Sequence, residues 1–188
     1  MTSTSNGTKG TYAVINTIQG KMVVELFPKA APKTVANFVG LAQSGFYNNL
    51  VWHRIVAGFV IQTGDPTSRN GGGDSATWGQ TGSNQTVPLE ANSTTVMEGY
   101  VHNIGYLGIA RSASPDSGSS QFFISLTNNA SLNGAYTVFG RVISGLDVAM
   151  AIGNLPVADS CAQTGGLACP PANPKDAEVV SVTIQDSP

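Results

Sequence analysis

Apolar and polar residues alternate in two short runs near the start of the chain, YAVINTI and KMVVELF. Alternation with a period of two places Met22, Val24 and Leu26 on one face of a strand. The pair Gln19-Gly20 between the runs is typical of a tight turn. The pattern therefore predicts an opening β-hairpin.

Helical spacing replaces this alternation after Pro32, a residue that favours the first turn of a helix. Apolar residues recur at intervals of three and four at Val35, Phe38, Leu41 and Ala42. Gly45 can adopt the left-handed conformation that ends a helix. We expect one helix over about 31–44 and a second over 146–152, where LDVAMAI follows Gly145.

The rest of the chain consists of short apolar runs separated by stretches rich in Gly and Asn. The runs lie at 51–63, 105–111, 121–126 and 136–143, and EVVSVTI closes the chain. Many short strands with two helices indicate a mainly β, antiparallel barrel or sandwich capped by helices. We expect residues 12–188 to form one domain, residues 1–11 to be a flexible segment, and 70–84 to be a surface loop.

The composition limits the classes of binding partner that we expect. The 188 residues are 41% hydrophobic, which suits one sizeable core, and only 11% are charged. The net charge is −2, and the nine Lys and Arg residues form no run. A basic patch for nucleic acid or an anionic membrane is therefore not expected.

No segment approaches the roughly 18 consecutive apolar residues of a membrane span, and MTSTSNGTKG lacks an apolar signal segment. We expect a soluble protein, either cytoplasmic as written or exported with its signal peptide removed. Asn-x-Ser/Thr tripeptides and a cysteine pair would suit export, although such tripeptides arise easily by chance; they start at Asn6, Asn84, Asn92 and Asn129. Cys161 and Cys169 bracket AQTGGLA, so they are either a local disulfide or two free thiols.

The motifs of several enzyme classes are missing. The chain has no G-x-S-x-G, and GGGD at 71–74 has neither the Rossmann spacing nor a GK[ST] ending. Two histidines without paired-ligand spacing give no metal site, and no cofactor is expected. A serine hydrolase using His53 or His102 stays open as a distant alternative.

The segment VWHRIVAGFVIQTGD at 51–65 combines an apolar strand with one arginine and one glutamine. Alternation places Arg54, Val56, Val60 and Gln62 on one face, so a guanidinium and an amide would stand beside aliphatic groups. An arginine without a functional role would give the same pattern if it lay at a barrel edge with its aliphatic part buried and its charged end in solvent. In SSQFFIS, Gln121 and Phe123 share a face.

These segments resemble the cyclophilin-type peptidyl-prolyl cis-trans isomerases. VWHRIVAGFVIQTGD is similar to the family stretch F-H-R-[VI]-[IV]-P-x-F-[MV]-x-Q-G-G-D. GYLGIARSASPDSGSSQFFIS resembles the second family block in its bacterial form, and SLNGAYTVFGRVISGLDV resembles the third. The resemblance covers about 12–185 and implies a closed eight-stranded antiparallel barrel with a helix over each open end.

The resemblance also implies roles for individual residues. Arg54 matches the catalytic arginine, and Gln62 matches the glutamine that binds the substrate backbone. The wall of a proline pocket would be formed by Phe59, Val60, Phe123, Leu132 and Tyr136. The neighbouring groove would be formed by Ala110, Arg111 and Gln121. Phe59 can reach the pocket only if the chain bends near Ala57-Gly58.

The chain departs from the family pattern at several positions. Ala57 replaces a usual proline, Thr63 replaces a usual glycine, and Ser131 stands where tryptophan or phenylalanine is common. Because family members with tryptophan at that place bind cyclosporin well, we expect weak cyclosporin binding. The segment 153–177 is longer than in small members.

The family implies an isomerase acting as a monomer on proline-containing peptides and on unfolded or flexible protein clients, and thereby assisting folding. The alternative is a proline-peptide binding module or chaperone whose catalysis is incidental. The intact arginine beside an intact pocket favours the isomerase.

Overall fold

The computed structural model describes residues 11–188, so the predicted flexible segment 1–11 lies almost entirely outside the described residues. The strands are β1 Tyr12–Thr17, β2 Gly20–Leu26, β3 Leu50–Val51, β4 Arg54–Val56, β5 Val60–Thr63, β6 Tyr106–Ile109, β7 Phe122–Ser125, β8 Val138–Ser144 and β9 Glu178–Gln185. The α-helices are α1 Pro32–Gln43, α2 Ser93–Met97, α3 Leu146–Gly153 and α4 Ser160–Gln163. The predicted class, mainly β with antiparallel strands and helices, is confirmed.

The strands form one sheet in the order β3-β9-β1-β2-β8-β6-β7-β5-β4, and every neighbouring pair is antiparallel. The predicted closed eight-stranded barrel is therefore wrong in two details: residues 11–188 form nine strands, and no ladder joins β3 to β4. Both edge strands come from the one segment 50–56. The sheet thus curls until its two edges meet along a continuous piece of chain.

The reason for the extra strand lies in Trp52 and His53, which separate β3 from β4. Four consecutive residues, Leu50 to His53, are at most 3% exposed, so the period-two alternation of a strand is lost there. The Thr63 hydroxyl of β5 donates to the carbonyl of Val51 at 2.8 Å. This side-chain bond connects the strands where the backbone ladder is interrupted.

The two predicted helices are present at the predicted places. α1 packs against β9, and α3 packs against β2, β4 and β5. Gly45, with φ +73°, follows α1 as predicted. The prediction missed α2 and α4, because helices of five and four residues are too short to show periodicity. In residues 11–188, no helix has both the length and the apolar character needed to span a bilayer.

Aromatic side chains fill the interior of the sheet. Phe38 of α1 lies 5.4 Å from Phe122 of β7, and Trp52 lies 5.8 Å from the same ring, measured between ring centroids. All three side chains are fully buried. Phe122 is therefore a core residue, whereas Phe123, its neighbour in the strand, points to the opposite face and toward the candidate site.

The Gly-rich segment 70–84 is irregular apart from short 3-10 turns, as predicted for a surface loop. Trp78 anchors it, since its ring is 8% exposed and its Nε1 donates to the Gly72 carbonyl at 3.1 Å. The loop consequently has a fixed course beside the candidate site.

Candidate active site

The hairpin of β4 and β5 presents the arginine and the glutamine side by side. Arg54 pairs with Gln62 in the register of the two strands, and Val56 pairs with Val60. Gly58 has φ +68° in the intervening turn, a conformation that glycine adopts without strain. This is the bend required near Ala57-Gly58, and it brings Phe59 round to the same side as Val60.

Nine of the ten predicted site residues line one cavity of about 260 Å³. Its lining consists of Arg54, Phe59, Val60, Gln62, Ala110, Arg111, Phe123, Leu132 and Tyr136. The residues come from separate parts of the chain, including β4, β5 and β7. The mixture of an apolar wall with two guanidinium groups and one amide suits a small apolar ring attached to a polar backbone.

The tenth predicted residue, Gln121, lines an adjoining cavity of about 210 Å³. Gln62, Ala110 and Arg111 line both cavities, so the two are continuous along one groove. The second cavity is otherwise bounded by uncharged polar residues and glycines, namely Gly79, Gln80, Thr81, Gly82, Ser112, Ser117 and Ser119. An extended peptide could therefore occupy both.

A hydrogen bond joins the side chains of Gln62 and Gln121. Nε2 of Gln62 donates to Oε1 of Gln121 at 2.8 Å, and Nε2 of Gln121 donates to the carbonyls of Gly79 and Thr81 at 3.0 and 2.5 Å. These bonds orient both amides. The Oε1 atom of Gln62 accepts no hydrogen bond from residues 11–188 in this network, and Gln62 lines both cavities, so this oxygen is left as an acceptor beside the groove.

Asp65 fixes the loop that carries these carbonyls. Its buried carboxylate accepts hydrogen bonds from the backbone and hydroxyl of Thr67, the backbone and hydroxyl of Thr81, and the backbone of Gly79. Burial raises the pKa of the Asp65 carboxyl, but the bonds from Thr81 and Thr67 outweigh it and leave the pKa below its usual value. The carboxylate is therefore charged and structural.

Arg54 is held by neutral groups. Its Nε donates to the Gly166 carbonyl at 2.9 Å, and its guanidinium carbon lies 5.9 Å from the centroid of the Phe59 ring. No salt bridge to Arg54 is found within residues 11–188. Burial lowers the pKa of Arg54, but an arginine keeps its charge at neutral pH.

Arg111 contacts Tyr136, an aromatic ring that lines the cavity. Its Nε donates to the Ala135 carbonyl at 2.9 Å, and its guanidinium carbon lies 4.8 Å from the centroid of the Tyr136 ring. The same ring meets Phe123 edge-on at 5.8 Å. Tyr136 is thus held between a cation and an aromatic edge.

Among residues 11–188, neither histidine is hydrogen-bonded to a hydroxyl group that it could activate as a catalytic base. His102 stacks on Phe123 with centroids 5.4 Å apart, and its Nε2 lies 3.2 Å from the Tyr136 carbonyl. No hydrogen bond of normal geometry joins a ring nitrogen of His53 to the described residues, although the Gln121 side chain and the Val51 backbone lie close enough to raise its pKa. Burial lowers the pKa of both rings, to about 4 for His53. Because no hydroxyl in the described part bonds to either ring, the structure does not support a serine hydrolase.

Sequence reasoning missed the backbone groups of the site. The carbonyls of Gly79, Thr81 and Gly166 orient Gln121 and Arg54, but a carbonyl leaves no signal in a residue type. Cys161 and Cys169, which bracket Gly166, are joined in a disulfide. In residues 11–188 no group of three or more His, Cys, Asp or Glu side chains could hold a metal ion.

Comparison with known proteins agrees with this geometry. Residues 12–173 match the family model of the cyclophilin type peptidyl-prolyl cis-trans isomerase. Peptidyl-prolyl cis-trans isomerase-like 1 of Aspergillus fumigatus is 41% identical over 76% of this chain and 82% of that protein. Peptidyl-prolyl cis-trans isomerase ppi1 of Schizosaccharomyces pombe is 40% identical over 74% and 83%.

A solved structure is similar over almost the whole chain. The cyclophilin type isomerase of Cryptosporidium parvum, crystallised in the presence of the dipeptide Ala-Pro, has a TM-score of 0.73 and 29% identity, covering 93% of this chain and 98% of that one. Fold, family model and relatives agree. The chain belongs to the cyclophilin-type peptidyl-prolyl cis-trans isomerases.

Proposed function

We propose that this isomerase accelerates rotation about Xaa-Pro bonds by stabilising the twisted transition state with Arg54. The observation that carries the proposal is the position of Arg54, whose guanidinium lines the same cavity as Phe59, Val60 and Phe123 without a carboxylate partner in residues 11–188. Its positive charge is therefore available to a substrate.

The chemistry requires no covalent step. Amide resonance imposes a barrier of about 18–20 kcal/mol on rotation, and uncatalysed exchange of an Xaa-Pro bond takes tens to hundreds of seconds. When the bond is twisted, resonance is lost and the proline nitrogen gains a lone pair. A guanidinium N–H binds that lone pair more strongly than it binds the planar amide, which is the condition for lowering the barrier.

The remaining groups would hold the substrate on either side of the rotating bond. The apolar wall anchors the proline ring, with Tyr136 as its lid. Oε1 of Gln62 accepts from the substrate backbone, and the groove beside Ala110, Arg111 and Gln121 takes the residues before proline. The relative crystallised with Ala-Pro supports proline-containing peptides as the substrate class.

We infer that the protein acts as a monomer on unfolded or flexible clients and thereby assists folding, because one cavity of this chain already contains the arginine, the glutamine and the apolar wall that the mechanism requires. The groove is open along its length and uses backbone-directed amides, which suits many sequences around proline. No cofactor enters this mechanism.

Exchange NMR on a short Xaa-Pro peptide tests the proposal. We expect the native protein to catalyse exchange and Arg54→Ala to lower the catalysed rate by about 10²- to 10³-fold, the usual cost of one transition-state donor. Peptide affinity should change much less, since the apolar wall is intact. Arg141→Ala is the matched control, because this arginine pairs with Glu25 at 2.8 Å and lines neither cavity.

Two outcomes would overturn the proposal. If the native protein binds the peptide without accelerating exchange, the site is a proline-peptide binding module or chaperone. If Arg54→Ala keeps the native rate, another group carries the catalysis.

Cyclosporin binding is a separate prediction. Ser131 is exposed on the 3-10 turn Ala130–Leu132, where it offers no ring to an apolar macrocycle. We expect weak binding by calorimetry, with Ser131→Trp binding more tightly. A tight complex with the native protein would contradict this prediction.

A further inference from the structure

The residues between the two cysteines form a small closed loop beside the active site. We call residues 161–169 the disulfide loop, since Cys161 and Cys169 are bonded at its ends. Inside it, the Thr164 hydroxyl lies 3.2 Å from the Ala168 carbonyl and accepts from the Ala168 backbone at 2.9 Å. The backbone of Gly166 donates to the Cys161 carbonyl at 3.0 Å. The loop therefore has a fixed shape set by few contacts.

The disulfide loop touches β4 at two successive residues. The carbonyl of Gly166 accepts from Nε of Arg54 at 2.9 Å. The carbonyl of Cys169 accepts from the backbone of Ile55 at 2.8 Å. One bond anchors the loop to the strand, and the other reaches the side chain that we propose to be catalytic.

The bond at Nε determines where the rest of the guanidinium points. A guanidinium is a planar group whose five N–H donors have a fixed relative geometry, so a bond at Nε fixes the direction of that N–H, and the contact with the Phe59 ring restricts rotation about it. No other side-chain hydrogen bond of Arg54 is found within residues 11–188. The Gly166 carbonyl is thus the polar contact that orients the group, and it does so without neutralising the charge.

We propose that the disulfide loop positions Arg54 for catalysis, with Gly166 as the positioning residue, so that the state of the Cys161–Cys169 bond sets the isomerisation rate. This inference rests on the proposed catalytic role of Arg54. It concerns the rate of the chemical step, because the groups that bind the peptide lie on other elements.

Reduction would act on the loop in a defined way. A dithiol reductant supplies two electrons and two protons, the S–S bond breaks to give two thiols, and the reductant becomes a disulfide. Cys161 is half-buried, so a reductant can approach it. Gly165 and Gly166 then lose a covalent restraint in a segment where both have left-handed φ values, +61° and +88°. Glycine pairs have large backbone freedom, so the Gly166 carbonyl would no longer be held at Nε.

The first experiment compares the oxidised protein, the dithiol-reduced protein and the double variant Cys161→Ser, Cys169→Ser by exchange NMR on one Xaa-Pro peptide. We expect the exchange rate of the bound peptide to fall about tenfold in the reduced and double-serine forms, since small misplacements of catalytic groups cost this much or more. The peptide Kd should stay within about twofold, since no residue of the groove is removed.

The second readout reports on Arg54 itself. The Nε proton of Arg54, assigned by its loss in Arg54→Ala, should be protected from solvent exchange in the oxidised form and unprotected in the reduced form. A loop with a merely structural role would leave this signal unchanged. An unchanged Nε signal with an unchanged rate after reduction would overturn the proposal.

Glycine variants test the positioning residue without touching the cysteines. Gly166→Ala strains the backbone that carries the carbonyl, although a Cβ there would meet nothing closer than Val56 at 3.8 Å. Gly165→Ala is the matched control, because its φ is also left-handed and a Cβ there would have no neighbour within 4 Å. We expect the rate to fall in Gly166→Ala and to persist in Gly165→Ala. Equal rates in the two variants would contradict a positioning role, whether or not the double-serine protein folds.

These variants distinguish the positioning role of Gly166 from the catalytic role of Arg54. If Arg54→Ala keeps the native rate, the proposed catalytic role is wrong. If Arg54→Ala is inactive while the reduced protein and Gly166→Ala are fully active, only the positioning role is wrong.

Discussion

Arg54 and Arg111 line the same cavity, and backbone carbonyls hold both of them. Nε of Arg54 bonds to Gly166 and Nε of Arg111 bonds to Ala135, each at 2.9 Å. A carbonyl orients a guanidinium without cancelling its charge, whereas a carboxylate would do both. No Asp or Glu lines the cavity. No carboxylate of the lining therefore neutralises the two guanidinium charges, although the chain has a net charge of −2.

Replacing Arg111 tests the support of the Tyr136 ring. We expect Arg111→Ala to weaken peptide binding by about 0.5–2 kcal/mol, the range of a cation–π contact, because Tyr136, the ring that we propose to cover the proline, loses its stacking partner. NMR titration of the same Xaa-Pro peptide gives the affinity. Arg111→Lys keeps the charge but loses the planar stacking group, so its peptide affinity should fall between those of the native protein and Arg111→Ala. Native affinity in Arg111→Ala would show that Tyr136 needs no such support.

The sequence predicts which residues line the groove when their contribution depends on the side chain. Alternation alone placed Gln121 and Phe123 on one face, and resemblance supplied Phe59 and Leu132; all four line the groove. The carbonyl of Gly166 could not be found this way. Its direction depends on the tertiary path of a loop more than a hundred residues away from Arg54, and every residue type has a carbonyl.

The element that sequence patterns described least well is the segment 50–56. The continuous strand predicted over 51–65 is wrong: consecutive burial of Leu50 to His53 divides β3 from β4, and the turn at Gly58 divides β4 from β5. Because β3 pairs with β9 and β4 pairs with β5, this one segment supplies both edges of the sheet. The interruption was not predictable, since it arises only when both faces of the chain become interior. Thr63, a departure from the family glycine, forms its bond at this place.

Thr63→Val tests whether that bond stabilises the interruption. The variant keeps the shape of the side chain but leaves the buried Val51 carbonyl without the hydroxyl donor. We expect a loss of about 1–2 kcal/mol in the free energy of unfolding, measured with urea. Thr183→Val on β9 is the control, because Thr183 is exposed and a surface change of this kind costs less than about 0.5 kcal/mol. Equal losses in the two variants would contradict a specific role for the Thr63 hydroxyl.

At the scale of the whole molecule, both histidines are buried and uncharged. Burial lowers the pKa of His53 from 6.5 to about 4; Asp65 opposes the change and Arg54 adds to it. Burial also lowers the pKa of His102, with the Tyr136 carbonyl opposing it. The mechanism that we propose uses neither ring. Acid should therefore act on stability before it acts on the chemistry of the folded enzyme.

The sign of the pH dependence follows from His53. Between pH 6.5 and about 4 the unfolded chain binds a proton that the folded protein excludes, so the free energy of unfolding falls as the pH falls. His53 alone should remove about 2 kcal/mol between pH 8 and pH 5. Over the same range the exchange rate of the folded protein should stay nearly constant, because Arg54 does not titrate.

Urea unfolding at pH 8 and pH 5, for the native protein and His53→Gln, measures this contribution. The native protein should lose more stability than the variant. The pH dependence of the free energy of unfolding that remains in the variant comes from His102 and from other groups that titrate in this range. Exchange NMR at both pH values, below the unfolding transition, should give equal rates. Identical losses of stability in the two proteins would show that His53 is protonated in the fold or accessible to water, whereas a falling exchange rate would place a titrating group in the catalytic step.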